Sequence, residues 1–101
     1  MKAKELIGIA LDENVAKALG VEPGAAYSSD WSHGGPVIER ENIELLYFGN
    51  KGNECEPWEA QVGGDNHYID QYPGDAMSGP TPLVAAMRCY VASKLGENSD
   101  L

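Results

Sequence analysis

Arg88 is the one charged side chain between Pro82 and Ala92, within the run GPTPLVAAMRCYVASKLG near the C-terminal end. A helix exposed to water alternates charges on its outer face, so a run this bare hides most of its circumference, inside the fold or against a second copy. A guanidinium kept in such surroundings requires an anion. Its planar fork matches a phosphate or pyrophosphate from a bound ligand, and it matches equally a carboxylate of the chain, Glu39 or Glu44.

The aromatic residues extend the first alternative. Tyr27 and Trp31 lie on a Ser- and Gly-rich stretch and Trp58 on an alternating one. Together they offer faces on which a purine can stack, a contact worth roughly 1–3 kcal/mol per base. The same rings also serve as anchors of a small core. Arg40, the second arginine, sits between Glu39 and Glu41, and with Thr81, at the start of the arginine-bearing helix, it completes the candidate ligand-binding set.

Catalytic and metal chemistry find less support. Asp30, Ser32 and His33 are near neighbours in one stretch and cannot supply a nucleophile, base and orienter approaching from separate elements; an Asx-type turn uses the same residues. His67 has no second histidine or cysteine at ligand spacing, so no metal and no cofactor are expected. Gly34-Gly35-Pro36 offers backbone amides to a phosphate, but a tight turn uses these residues too. The expectation is a binding protein, not an enzyme.

Composition bounds the rest. The 101 residues, 43% of them hydrophobic, suit a single domain over 1–101 with one modest core, its ends at 1–3 and 97–101 frayed. Sixteen acidic residues against seven basic ones give a formal charge of −9, which repels nucleic-acid polymers and anionic membranes. A small anionic ligand is not excluded, because salt screens a diffuse surface charge over roughly 10 Å. The two cysteines, Cys55 and Cys89, build no disulfide framework, and the apolar residues of MKAKELIGIALDENV are interrupted by charge, unlike a signal peptide. A reducing cytoplasm is expected.

The elements that must carry these residues follow from periodicity. Ile7, Leu11, Val15, Ala18 and Leu19 mark a helix stopped by Gly20, starting near residue 4 or, if Asp12 caps it, later. Residues 25–36 read as a long loop. Val37–Ile38 and then Ile43, Leu45 and Tyr47 read as one or two strands, and Trp58, Ala60 and Val62 as another. Gly63-Gly64-Asp65-Asn66 is a hairpin turn from which His67–Ile69 returns as a short strand, and 72–80 is loop. Thr81 as cap, Pro82 at the first helical position and Gly96 as stop frame the last helix. The fold class is α+β: a small antiparallel sheet with an N-terminal helix and a longer C-terminal helix packed on it. The small face of Val84, Ala85 and Ala92 is then free to pair a homodimer or higher assembly.

The stretches YSSDWSHGGPVIERENIEL and GPTPLVAAMRCYVASKLG, with ALDENVAKALG before them and WEA between, resemble the NinX-like family of small tailed-phage proteins. The chain is also similar, in size, element order and an arginine in the last helix, to Thoeris anti-defence proteins. These resemblances imply a phage-encoded protein of the host cytoplasm. They imply that it sequesters a cyclic ADP-ribose isomer or cyclic oligonucleotide made by a bacterial immune enzyme, with the base on aromatics and the phosphates on Arg88. An acidic protein-interaction module that inhibits a host or phage protein is the alternative.

Overall fold

The computed structural model describes residues 2–49, 55–62 and 77–96. A 3-10 turn over Ala3–Glu5 leads into α1 (Gly8–Leu19) and α2 (Trp31–Glu41), followed by β1 (Ile43–Tyr47), β2 (Trp58–Val62), β3 (Met77–Gly79) and α3 (Pro82–Leu95). The strands form an antiparallel sheet in the order β1-β2-β3, with Ile43 opposite Val62, Tyr47 opposite Trp58, and Trp58 opposite Gly79. An α+β architecture with helices at both ends of the chain is therefore present, enlarged by a helix the sequence reading lacks. The expected strand at His67–Ile69 and the frayed tail at 97–101 lie outside the described residues.

α3 is the centre of the molecule. Every residue from Leu83 to Val91 is buried, and the helix packs against the sheet and against α1 and α2. Its start is built as the sequence predicts: Thr81 Oγ1 accepts the Val84 N–H at 3.1 Å, and Pro82 occupies the first helical position, where no N–H partner is missed. Burial all round corrects one expectation. Val84 and Ala85 face the protein's own core (6% and 0% exposed), so they are not a free face for a second copy. The apolar run serves a helix wrapped by its own chain.

α1 begins later than residue 4. Leu6 and Ile7 are extended, Ile7 provides no side-chain cap, and Leu11, Val15 and Ala16 form the buried stripe. Gly20 closes the helix at φ 75, a left-handed conformation that glycine adopts at little cost, and its N–H reaches Ala16 and Lys17. Asp12 does not cap; its Oδ1 accepts the Ser28 N–H at 2.8 Å and ties α1 to the segment before α2. Ala3, expected to fray, is fully buried.

α2 replaces the expected loop over 31–36 and the expected strand at Val37–Ile38. Asp30 caps it, its Oδ1 accepting the Ser32 N–H at 2.9 Å and the Ser32 hydroxyl at 2.7 Å, and Asn42 ends it in the left-handed region. Gly34 is inside the helix because it is pressed against neighbours: a Cβ there would collide with the Tyr27 carbonyl and come within 2.6 Å of Leu83 Cδ2. Pro36 forgoes one helical hydrogen bond, which burial of Val37 against the core offsets. β3 likewise replaces expected loop. Its Gly79 lies so close to α3 that a Cβ would stand 2.9 Å from Ala85 Cα.

Candidate functional site

Arg88 does not present its charge to a ligand. Its side chain is 4% exposed, with Nε donating to the Leu6 carbonyl at 2.8 Å. One terminal nitrogen donates to Glu56 Oε2 at 2.8 Å and to the Ser78 carbonyl at 2.9 Å. Ser78 Oγ donates to the other oxygen of Glu56 at 2.9 Å. The hydrogen bond from Arg88 holds the Glu56 carboxyl below its usual range against the opposing effect of burial. The guanidinium is thus answered by a carboxylate of its own chain, and by neither Glu39 nor Glu44. It joins three segments, the turn before α1, the entry to β2, and β3, and is withdrawn from the ligand role read for it.

Three other candidates are also dispersed. Arg40 Nε donates to Glu41 Oε2 at 3.1 Å and its terminal nitrogen to the Tyr90 hydroxyl at 3.4 Å; Lys94 approaches Glu41 from α3 at 3.3 Å. Trp58 packs on the cross-strand Tyr47, ring centres 4.9 Å apart. Tyr27 is half-buried against the core and meets His33 edge-on at 6.1 Å. The Asp30, Ser32 and His33 group is a helix cap: the Ser32 hydroxyl donates to Asp30, and His33 Nε2 stands 3.9 Å from the other carboxylate oxygen.

The remaining two, Trp31 and Thr81, line one groove of about 430 Å³, within the usual size of a small-molecule site. Ile7, Ser28, Pro82 and Leu83 contribute to its walls, and the Trp31 side chain is 53% exposed there. The three α-helices among the described residues begin at this groove: Gly8 opens α1, Trp31 opens α2 and Pro82 opens α3. Each helix start carries a partial positive charge from its unpaired amides. None of the three first turns holds an acidic residue, in a chain with sixteen of them. Asp30, at the cap of α2, offsets that helix's end; hydrogen bonds from Ser32 keep its carboxyl below the usual range.

Ser28 is 6% exposed and sits in the wall. The groove therefore combines an aromatic face, apolar walls and outward-facing donors. It can hold a flat ring and a nearby anion. Sequence reasoning missed Ser28, Ile7 and Gly8. The usable signals were Asp30 as a cap and Thr81-Pro82 at the start of α3, although the convergence of the helix starts is a property of the topology.

Among the described residues no group of three His, Cys, Asp or Glu side chains is placed to hold a metal ion, and no helix is long and apolar enough to cross a membrane. The sequence profile of the family described as Bacteriophage P22, NinX matches residues 25–94, well over half of the chain. It spans Trp31 and Thr81 of the groove and both Glu56 and Arg88. The Thoeris likeness has no counterpart in this match. No curated protein matches the chain.

Proposed function

The chain belongs to the family described as Bacteriophage P22, NinX, and from the geometry of the groove we propose that this phage protein is a non-enzymatic binder of a small anionic nucleotide. The ligand is an immune signal of the host, a cyclic ADP-ribose isomer or cyclic oligonucleotide, whose capture in the host cytoplasm denies a defence effector its activator. The observation that carries the reading is the convergence of three helix starts around the half-exposed indole of Trp31. A purine stacks on the indole while the phosphate meets free backbone amides, the arrangement by which helix starts commonly receive anions. The surface charge of −9 slows approach of an anion but is screened at physiological salt. Titration calorimetry of the folded protein against cyclic ADP-ribose isomers and cyclic di- and trinucleotides tests this. Saturable heat from one of them is expected, and no heat from any would end the proposal.

A protein-interaction module is the second reading, favoured by a different observation. Leu46, Tyr47 and Phe48, at the end of β1, are 43%, 63% and 36% exposed, and among the described strands β1 lies at an edge of the sheet. A host protein or a second copy can cover such a patch. Sedimentation and pull-down with wild type and Tyr47→Lys discriminate: a stoichiometric partner or dimer lost in the variant supports this role.

A further inference from the structure

Resting on the reading of the chain as a protein-interaction module, we infer that its partner is a basic protein, an extended segment of which joins the sheet as a strand alongside β1. Leu46, Tyr47 and Phe48 are consecutive, and they are 43%, 63% and 36% exposed. Successive side chains of a strand point to opposite faces. Ile43 and Leu45 pack into the core, so Tyr47 lies on their face, against Trp58, while Leu46 and Phe48 lie on the other. A partner resting on one face would leave the other wet. One that runs along the edge reaches both.

The Phe48 N–H donates to the Pro57 carbonyl at 2.8 Å, which continues the β1-β2 register and turns the amides and carbonyls of Glu44, Leu46 and Phe48 toward β2. Those of Leu45 and Tyr47 then point away from β2, and among the described residues no strand pairs with them there. An added strand takes these groups into its own ladder. Charge selects the strand. Glu44 stands two residues before Leu46 and Glu59 directly across from it, so both carboxylates share the face of Leu46. Both residues are partly exposed, and neither joins an ion pair among the described residues. A second copy would bring its own Glu44 and a further charge of −9 to the seam. Lysine or arginine at alternate positions of a partner strand meets these carboxylates instead, and the apolar residues between them cover Tyr47.

A fluorescently labelled peptide of alternating lysine and valine, long enough to span β1, tests this by anisotropy. Its controls are a peptide of alternating glutamate and valine and the lysine peptide with every backbone nitrogen methylated. The unmethylated lysine peptide is expected to bind saturably, at least about ten-fold more tightly than either control, and to weaken as salt is raised. It should also slow hydrogen exchange at the Leu45 and Tyr47 amides. Glu44→Gln combined with Glu59→Gln, with an unchanged circular-dichroism melt, is expected to weaken it about five-fold. Absence of binding, equal binding by either control, unslowed exchange at those amides or unaltered affinity in the double variant would overturn the inference. So would a dimer of wild type that Tyr47→Lys abolishes in sedimentation. The interaction reading itself falls separately, if Tyr47→Lys retains every partner that wild type captures in the pull-down.

Discussion

Arg88 and Glu56 meet at 2.8 Å, one side chain 4% exposed and the other 28%. The contact joins the central helix to the entry of β2, and the same guanidinium holds the Leu6 and Ser78 carbonyls. It explains how an arginine persists in an apolar helix without a ligand. It also removes Arg88 from the residues proposed to bind a ligand.

Glu56→Gln keeps the size of the side chain and leaves the guanidinium buried without its counter-charge. The expected loss is about 2 kcal/mol, below the roughly 3–5 kcal/mol of a fully buried pair because Glu56 is partly solvated. Urea unfolding measures it, and nucleotide affinity should be unaltered, since Arg88 lies outside the groove.

Acid should act through the same carboxylate. Its pKa in the folded state is lowered below the ordinary 4.5, so the stability it contributes is present above that value and is lost as pH falls through the folded pKa. Urea midpoints should hold from neutrality down to about 4.5 and decline below it. Glu56→Gln should flatten part of that decline.

Gly34→Ala tests α2 itself. Its Cβ would collide with the Tyr27 carbonyl and crowd Leu83, so a loss of about 1–3 kcal/mol is expected. At Gly35 the nearest atom to an added Cβ is Trp31 Cε3 at 3.8 Å. There the reduced freedom of the unfolded chain works against the crowding that Pro36 imposes on its predecessor, and Gly35→Ala should stay within about 0.5 kcal/mol of wild type. Equal effects at both positions would contradict the helix.

These residues also show what the sequence made legible. α3 was readable because Thr81, Pro82 and Gly96 signal its ends locally, as Gly20 does for α1, and because the alternation of Trp58, Ala60 and Val62 marks β2. α2 was not, because Gly34, Gly35 and Pro36 are turn formers by local preference. Here a close backbone approach to Tyr27 and Leu83 demands glycine, so packing overrides propensity. β3, three residues long, is too short to show a period. The ion pair was half legible: isolation of Arg88 required an anion, but the partner lies 32 positions away and only the sheet pairing brings it near. Of the groove only the start of α3 was legible, not the starts of α1 and α2 or the meeting of all three.

The central claim is that a nucleotide sits on Trp31 at the convergence of the three helix starts. Calorimetric titration of cyclic nucleotides into wild type and Trp31→Ala tests it most directly, since a side chain 53% exposed contributes about 1 kcal/mol or less to folding. Saturable binding by wild type, weakened about 5- to 150-fold in the folded variant, is the expected result. Equal affinity in the two proteins, or no binding by either, would contradict it.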